Sequence, residues 1–443
     1  MIKNKKKNLV IFEINECDFK FILNGAKKFN YPLISNFFKY KKKTLTYTND
    51  KVEGYNLDPW VQWVSVHTGL NSSKHKVFRI GEKLNLKCDQ LWDLIKNKKI
   101  KFTLWGLFNS NVRNKHNIDL FYPDPWSFTQ KAYPKKFNNF LKLPRYYALN
   151  YPNINIFKFC HYFFLFFKTL FISKSIIYFL KNLNNFLIIF IRSKFKSFNL
   201  YFFLDLISLE IIFNRIKQKK SQVTIIALNS LAHYQHNYWD ELGSHKFYYW
   251  YLNEMIKKIL SIEKMYNASI CYNGFGQIKI KPKYHLRPKK PQIFLKKLNI
   301  KFKSIKPNMT SGAQVFFENY QDKKKCIQIL SKINLDQKYF FNIQDYKENK
   351  IFYKFNVYSN KNKINLDRLY VSDFDEFLPN FNSTNLSSKK KLIKKIIKNV
   401  NFIKSTSEHD NKGLIYSKNF QISKNRIKNI ELIKYITNYL NNN

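Results

Sequence analysis

A short apolar run near the start of the chain, Leu9-Val-Ile-Phe-Glu-Ile14, decides the fold class. Three similar runs follow it at residues 101–106, 223–228 and 268–272, and helix-forming segments lie between them. Short, continuously apolar strands that alternate with helices are typical of a parallel sheet whose two faces are both covered. We therefore predict an α/β fold with a mainly parallel sheet that is flanked by helices on both faces.

Two segments interrupt this alternation and divide the chain. Residues 8–154 and 218–284 hold the four strands, and residues 401–437 are expected to return to the same core. Residues 155–217 are crowded with Phe, Ile, Leu and Tyr and predict a helical insertion. Residues 285–400 combine strand-like and helical runs and predict a small α/β insertion.

The charge of the chain is strongly one-sided. Its 443 residues include 78 Lys and Arg against 29 Asp and Glu, a formal net charge of 78 − 29 = +49. Only 8 of the basic residues are Arg, so 78 − 8 = 70 are Lys. Proteins that read phosphates and base edges rely on the bidentate guanidinium group, so we expect no specific nucleic-acid binding. The enriched residue types share AT-rich codons, and a basic surface still favours anionic substrates or lipid headgroups.

Cysteine spacing and the N-terminus bear on the cellular compartment. The five cysteines are widely spaced and form no CxxC pair, so neither a disulfide framework nor a thiolate zinc site is expected. The apolar run that follows the basic residues 1–8 is interrupted by Glu13 and is too short for a signal peptide. We expect a cytoplasmic protein without a transmembrane helix. A lysine-rich run at residues 389–398 predicts an amphipathic, solvated helix.

The aromatic segment 155–217 has two interpretations. Lysine and asparagine residues interrupt it, so no apolar run reaches the roughly 18 to 20 residues that a spanning helix needs. The first interpretation is a helical cap over an edge of the sheet. The second is a set of amphipathic helices that lie in the plane of a membrane, with lysines beside aromatic faces, which predicts a peripheral contact with the inner membrane face.

Polar residues that suit metal or anion binding follow the third predicted strand. His233 and His236 lie three residues apart, and Asn229 precedes them. On a helix this spacing places the two imidazoles on neighbouring faces, so that both reach one cavity. Paired imidazoles suit zinc, or phosphate and sulfate oxygens when they are protonated.

Two further groups of polar residues are candidates for chemistry. Pro59 begins a largely apolar helix that Gly69 closes, which predicts Asp58 at its N-cap. The N–H groups of a helix start bind anions, although a capped helix that packs its tryptophans into the core is the alternative. His409 lies in a polar segment before a strand-like run.

Taken in chain order, these motifs resemble the alkaline-phosphatase superfamily, and within it the type I phosphodiesterase/nucleotide pyrophosphatase branch. The most specific motif is Thr-Gly-x-x-x-x-x-His at residues 68–75. The resemblance covers the sheet core and neither insertion. The other segments that carry it are residues 12–16, 59–67, 76–78, 91–95, 229–236, 273–276 and 409–413.

The resemblance implies a two-metal hydrolase, in which carboxylates and histidines hold two ions, commonly zinc, and a Thr or Ser at a helix start attacks phosphorus. In this chain the first-strand Asp of the family is Asn15, and the Asp of the middle motif falls on Asn229 or Ala232. The family's Ser-Asp-His-Gly reads Cys-Tyr-Asn-Gly at residues 271–274, and the nucleophile position falls near Asp58 or Pro59.

These departures limit the metal content that we expect. Neutral carboxamides lack the anionic charge that holds two divalent ions, so we expect at most one ion, with zinc as the first choice and a metal-free site as the alternative. Asp58 is the candidate nucleophile or base. The candidate metal ligands are Asn15, Glu16, His233, His236, Asn273 and His409. The expected substrate contacts are Glu13, Trp60, Gln62 and His67.

Two functional hypotheses follow from the residues and the resemblance together. The first is a phosphoester or sulfoester hydrolase or transferase that acts on an anionic small molecule, a surface glycan or a lipid-linked headgroup. The second is a catalytically degenerate member of the fold that binds an anionic ligand or serves in assembly. Metal content and turnover separate the two hypotheses.

Overall fold

The computed structural model describes residues 7–48, 57–82, 87–95, 97, 99–150, 154–308, 312–335, 338–358, 369–371 and 398–441. The chain forms two compact units. The first unit contains residues 1–145, 158–279 and 407–443, and the second contains residues 146–157 and 280–406. The lysine-rich helix is predicted at residues 389–398, of which the described residues include only residue 398.

Strands and helices are numbered along the whole chain. The strands are β1 (Leu9–Ile14), β2 (Lys42–Tyr47), β3 (Phe102–Trp105), β4 (Ile118–Tyr122), β5 (Val223–Leu228), β6 (Ala268–Tyr272), β7 (Gly276–Pro288), β8 (Ser304–Pro307), β9 (Gly312–Phe316), β10 (Ile333–Leu335), β11 (Lys338–Tyr339), β12 (Phe341–Asp345), β13 (Lys350–Phe355), β14 (Val357–Tyr358), β15 (Leu369–Val371), β16 (Val400–Asp410), β17 (Lys412–Lys418) and β18 (Arg426–Lys428). The helices are α1 (Phe19–Lys28), α2 (Pro32–Lys39), α3 (Pro59–Thr68), α4 (Ser72–His75), α5 (Leu91–Leu94), α6 (Asn138–Asn150), α7 (Ile156–Ile172), α8 (Ile176–Arg192), α9 (Phe198–Gln218), α10 (Ser230–Tyr238), α11 (Leu242–Glu263), α12 (Pro291–Lys297), α13 (Tyr320–Ser331) and α14 (Leu432–Asn441).

An eight-stranded sheet forms the centre of the first unit, in the order β18-β2-β17-β6-β1-β5-β3-β4. β1 lies between β5 and β6 and is parallel to both, with Leu9 in register with Val223 and Ala268. β3 continues the parallel set between β5 and β4, and β18 is parallel to β2. β17 is antiparallel to both of its neighbours. The sheet is therefore mostly parallel, as the alternation of apolar runs and helices predicts.

Both faces of the sheet are covered, which explains why its central strands are apolar at successive positions. Val10, Phe12 and Ile14 on one face of β1 join a buried cluster with residues of α1, α9 and α11. On the opposite face, Glu13 hydrogen-bonds to His67 of α3. The predicted fold class, an α/β sheet with helices on both faces, is confirmed.

The aromatic segment 155–217 forms the helices α7 and α8 and most of α9. Phe203 of α9 packs its ring against Phe166 of α7 and against Phe179 and Phe186 of α8. Among the described residues, no helix is both long enough and apolar enough to cross a membrane.

The second unit has its own apolar core, built on antiparallel strands. β12, β13, β9 and β8 form one sheet, and β11, β10 and β15 form another. α12 and α13 contribute Phe294, Leu295 and Leu330 to the buried cluster of this unit. Residues 350–358, which look like a hairpin in the sequence, are instead β13 and β14, because β13 pairs with β12 and β9 while β14 pairs with β7.

A glycine in α1 allows this helix to pack against α11. The Tyr249 hydroxyl donates a 2.7 Å hydrogen bond to the Phe21 carbonyl and lies directly over Gly25. A Cβ at Gly25 would overlap the ring and hydroxyl of Tyr249, which is only 1% exposed and has no free space to move into. Gly243 in α11 is different, since a Cβ there meets no atom within 4 Å.

We expect Gly25→Ala to lower the free energy of unfolding by about 1–3 kcal/mol, the usual cost of overpacking a core. Gly243→Ala is the matched control and should leave stability unchanged or raise it by up to about 1 kcal/mol, because alanine favours the helix. Urea unfolding followed by circular dichroism measures both. Equal effects of the two substitutions would contradict the close packing of α1 on α11.

Candidate metal centre

The carboxyl ends of the central strands bring polar residues together at one edge of the sheet. Asn15 and Glu16 follow β1, Asn229 follows β5 and Asn273 follows β6. The backbone N–H of Asn15 donates to the Leu228 carbonyl at 3.0 Å, and that of Glu16 donates to the Asn273 carbonyl at 2.9 Å. Parallel strands place such residues side by side, which is where ligands bind in open α/β sheets.

Glu16, His236 and His409 form a cluster at this edge, with one possible ligand atom from each within 4.8 Å of the others. Glu16 Oε2 lies 3.1 Å from His236 Nε2 and 2.5 Å from His409 Nε2. In the described part of the chain, this is the group of at least three His, Cys, Asp or Glu side chains that could hold a metal ion. The Glu16 side chain is 5% exposed, whereas those of His236 and His409 are 26% and 20% exposed, so a solute reaches the cluster from the histidine side.

The backbone at Glu16 adopts a left-handed conformation, with φ at 41°. This region is uncommon for residues with a Cβ, and it persists only where the surroundings hold it. The bonds of Asn15 and Glu16 to the ends of the neighbouring strands supply that restraint. The turn ends β1 at this point and lets Glu16 reach the two histidines.

The cluster is electrostatically coupled. Burial alone would raise the pKa of Glu16, but the charges and hydrogen bonds of His409 and His236 hold it well below its ordinary value. Burial alone would lower the pKa of His409, but the charge and hydrogen bond of Glu16 raise it. Without a metal ion, this pair therefore stabilises the fold between the two pKa values. That stability is lost as the pH falls through the pKa of Glu16 or rises through the pKa of His409.

A hydrogen-bonded chain sets the orientation of the His236 ring. The side-chain amide of Gln277 donates to the Ala232 carbonyl at 3.5 Å, so its Oε1 accepts the 2.7 Å bond from Ser407 Oγ. Because the Ser407 hydroxyl donates its proton to Gln277, its oxygen accepts a 3.0 Å hydrogen bond from His236 Nδ1. With Nδ1 used for Ser407, the ring presents Nε2 to Glu16, as an N–H donor when the imidazole is protonated and as a free lone pair for a metal ion when it is neutral. A second partner of this kind is usual for histidines that bind metals.

The helix α10, which carries His236, is held at two points. Asp205 of α9 accepts hydrogen bonds from the backbone N–H groups of Asn229 and Ser230 at 3.0 and 2.9 Å. Burial raises the pKa of Asp205 to about 6, against the opposing effect of these bonds. The Gln235 side chain accepts from the backbone N–H of Asp18 at 2.8 Å, which ties α10 to the loop after β1.

The three asparagine side chains at the strand ends all make hydrogen bonds within the first unit. Asn15 Nδ2 donates to Glu16 Oε1 and to Asn229 Oδ1, both at 2.8 Å, and Asn15 Oδ1 accepts from Trp63 Nε1 at 2.6 Å. Asn273 Nδ2 donates to the Cys17 carbonyl, and Asn273 Oδ1 accepts from the Leu414 N–H. These carboxamides therefore connect strands and orient Glu16.

His233 takes a different direction from His236. Its ring stacks on Tyr201 of α9, with centroids 4.1 Å apart and planes 8° apart. Burial lowers the pKa of His233 to about 4, with a further contribution from His236, so the ring is neutral at physiological pH. Its candidate role as a metal ligand stays a prediction, since the cluster of three is built by Glu16, His236 and His409.

Asp58 occupies the predicted N-cap position of α3, with extended backbone and Pro59 in the first turn. Its side chain makes no capping hydrogen bond to the helix, and its charge helps to raise the pKa of His409. The carboxylate of Asp58 therefore contributes to the electrostatics of His409 without capping the first turn of α3.

The four expected substrate contacts are buried in the interior of the first unit. His67 Nε2 and Glu13 Oε1 are 2.6 Å apart, and the Trp60 indole donates to the Phe78 carbonyl at 3.2 Å. Gln62 is fully buried. Their assignment to substrate binding stays a prediction, while their contacts in this structure join α3 to β1 and to the loop at Phe78.

The motif at residues 68–75 shapes the corner between α3 and α4. Gly69 ends α3 in a left-handed conformation, and Thr68 Oγ1 donates to the Val64 carbonyl at 2.8 Å. His75 Nδ1 accepts from the Val77 N–H at 3.1 Å, so its Nε2 donates to Ser65 Oγ at 3.0 Å. This part of the family resemblance therefore corresponds to a structural motif.

Three residues that support the cluster, Ser407, Gln277 and Asp205, are not predicted from the sequence. Ser407 and His409 lie two residues apart on β16, and side chains at this spacing share a face of a strand. This spacing could have predicted that Ser407 lies beside His409. Gln277 and Asp205 gave no comparable signal, because their partners lie at least 24 residues away along the chain.

No family model matches the chain, and no curated protein matches it. Two solved structures align with the backbone of this chain, and both are of phosphonoacetate hydrolase from Sinorhizobium meliloti 1021. The complex with phosphonoformate gives a TM-score of 0.43 and the complex with phosphonoacetate 0.41. Both are 8% identical to the chain, over 98% of this chain and 96% of the other. A likeness of this extent says nothing of activity.

Proposed function

We propose that Glu16, His236 and His409 bind one divalent metal ion, and that the protein is a phosphoester or sulfoester hydrolase or transferase of the alkaline-phosphatase type. The observation that supports this proposal is the cluster of three ligand atoms within 4.8 Å at the carboxyl edge of a parallel sheet. The family resemblance of the sequence motifs supplies the reaction class.

The residues fit a zinc ion. Two histidines and one glutamate form a ligand set found in catalytic zinc sites, which keep a fourth position open for water or substrate. Ligand atoms about 2.0–2.2 Å from zinc lie about 3–3.5 Å from one another in a tetrahedral site. The two separations from Glu16 Oε2, 3.1 and 2.5 Å, approach this range, and the 2.5 Å pair would need to open slightly. The bond from His236 Nδ1 to Ser407 already directs Nε2 toward the cluster.

The carboxamides limit the site to one ion. A second metal in the family arrangement needs carboxylates at the strand ends, where this chain has Asn15, Asn229 and Asn273. The oxygens of Asn15 and Asn273 already accept hydrogen bonds from Trp63 and from the Leu414 N–H. A neutral amide oxygen is also a weaker ligand for a divalent ion than a carboxylate.

The proposed reaction also needs a nucleophile or general base and an anionic substrate. A bound ion would supply positive charge that polarises an ester oxygen. We propose Asp58 as the nucleophile or general base, and its electrostatic effect on the pKa of His409 supports this role. The net charge of +49 favours an anionic substrate, and we propose a surface glycan or a lipid-linked headgroup that carries a phosphate or sulfate ester.

A degenerate binding protein is the second candidate function. It is favoured by one observation: the nucleophile position, near Asp58 or Pro59, has no Ser or Thr. In that case the cluster would hold an ion or an anion without turnover, and the protein would serve in recognition or assembly.

Purified protein loaded with zinc and then dialysed should retain one ion per chain, as measured by elemental analysis. Glu16→Gln and His409→Ala should each reduce zinc affinity at least about 100-fold, because each removes one of three ligands. His233→Ala should retain one ion. Two tightly bound ions, or equal losses in all variants with lowered melting temperatures, would contradict the three-residue site.

The reaction class can be tested with p-nitrophenyl phosphate, bis(p-nitrophenyl) phosphate and p-nitrophenyl sulfate. The zinc form should hydrolyse at least one of them, and Asp58→Asn should lower kcat about 100-fold or more while zinc is retained. Binding of phosphate or sulfate without turnover of any ester would favour the second candidate function.

Ser407→Ala should weaken zinc binding about 10- to 100-fold, the usual effect of removing the partner of a ligating histidine. The matched control is Ser417→Ala, since Ser417 is also buried and donates to the Phe420 carbonyl at 3.0 Å. The control should change stability but not zinc affinity. Equal zinc affinities for both variants would mean that Ser407 does not orient His236.

Zinc affinity should fall as the pH is lowered, and the fall should begin above the ordinary imidazole pKa because His409 has a raised pKa. Zinc must displace the His409 proton and any proton on His236 Nε2, so the affinity should drop at least about tenfold per pH unit below the pKa of His409. Glu16, with its lowered pKa, stays ionised over this range. Competition with a chelator between pH 5.5 and 8.5 measures the slope, and a flat profile would contradict ligation by His409.

A further inference from the structure

The helices α7 and α8 expose large apolar side chains to solvent. We define the α7–α8 surface by six of them, each between 52% and 68% exposed. They are Phe164, Phe171, Ile177, Leu180, Leu187 and Ile191. Single exposed apolar residues are common, but a group of this size on two consecutive helices marks an interaction surface.

The spacing of these residues shows that they lie on outward faces. Phe164 and Phe171 are seven residues apart on α7, which returns a helix to nearly the same face. On the opposite face of α7, Phe166 and Leu170 are fully buried in the cluster that also contains Phe179 of α8. Both helices therefore bury one face in the first unit and leave the other to the surroundings.

The α7–α8 surface carries only positive charge. Residues 125–204 contain neither Asp nor Glu, an 80-residue stretch in a chain with 29 acidic residues. Basic side chains alternate with the apolar ones along the exposed faces. The exposed basic residues are Lys168, Lys174, Lys181, Arg192 and Lys194.

We infer that the α7–α8 surface binds in the plane of a lipid bilayer rich in anionic headgroups. The apolar side chains would enter the boundary between headgroups and acyl chains, and the lysines would extend along them to the lipid phosphates. Each basic residue near an anionic surface adds binding energy, and the absence of acidic residues removes any repulsion. A second copy of the chain fits less well, since pairing this surface with itself would bring like charges together.

Peripheral binding agrees with the helix lengths. Within the described residues no helix is long and apolar enough to span a membrane, so contact through exposed faces is the geometry that α7 and α8 allow. The inference does not depend on the metal proposal, because none of the six residues belongs to the cluster of Glu16, His236 and His409.

The full-length protein can be tested by flotation with vesicles of phosphatidylcholine alone and of phosphatidylcholine with 30 mol% phosphatidylglycerol. We expect flotation with the anionic vesicles and at least tenfold weaker partitioning to neutral ones. The double variant Phe164→Glu/Phe171→Glu should lose at least tenfold in partitioning. Tyr40→Glu is the matched control, since Tyr40 is also an exposed aromatic residue, at 77%, and should have little effect.

The charge contribution needs its own control, because the whole protein is basic. Lys168→Gln/Lys174→Gln/Lys181→Gln should weaken binding about 100-fold, at roughly fivefold per lysine. Neutralising the exposed lysines Lys20, Lys27 and Lys264 elsewhere in the first unit should have a much smaller effect. Equal losses in both triple variants would show non-specific attraction and overturn the inference.

A fluorescent reporter tests insertion directly and does not depend on large substitutions. The protein has 7 tryptophans of its own, so the signal is the difference between the emission of Phe171→Trp and that of the parent protein. This difference should shift to the blue and resist aqueous quenchers when anionic vesicles are added. Tryptophan in place of Tyr40 should not respond. No change at Phe171, or vesicle-independent dimers that Phe164→Glu/Phe171→Glu dissociates in sedimentation, would overturn the inference.

Discussion

The position of β1 between β5 and β6 is the constraint on which the candidate site depends. Because the three strands are parallel and in register from Leu9 onward, their carboxyl ends lie at one edge. Glu16 follows β1 and Asn229 follows β5 at neighbouring points of that edge, and α10 begins directly after Asn229. A shift of one residue in this register would turn Glu13, Asn15 and their neighbours to the opposite faces of the sheet and separate Glu16 from His236.

At this edge, the buried carboxylate of Glu16 lies against two imidazoles and one carboxamide. Glu16 keeps a low pKa because two imidazoles lie against it, while the carboxamide of Asn15 donates to its other oxygen. Carboxylates in place of the asparagines would repel Glu16 unless cations balanced them. The carboxamides thus make a small cluster compatible with one ion or with none, whereas the family arrangement depends on two.

The sequence predicts the central strands and their common edge well, because buried parallel strands give continuous apolar runs. It misses β2 and β4, since β2 reads Lys-Lys-Thr-Leu-Thr-Tyr and Asp119 interrupts β4. His236 and His409 are candidates because they match histidine positions of the family motifs, and Glu16 is a candidate because it stands beside Asn15, the first-strand position of the family. Ser407 and Gln277 could not be named, since the path of β7 and β16 determines which histidine they meet. The sequence also does not predict the burial of Trp60 and Gln62, because a helix that is apolar on all sides does not show which of its faces contacts a ligand.

One helix, α9, connects the aromatic insertion to the cluster of Glu16, His236 and His409. Phe203 of α9 packs against α7 and α8, while Asp205, two residues further on, accepts the backbone N–H groups that begin α10. Because α10 carries His236, the position of this imidazole depends on a residue that the sequence assigns to the insertion. Substitutions within the core of α9 would therefore disturb both the packing of α7 and α8 and the position of His236. Substitutions of exposed residues on the outer faces of α7 and α8 leave Asp205 and its hydrogen bonds unchanged. Such substitutions therefore change the α7–α8 surface without moving His236.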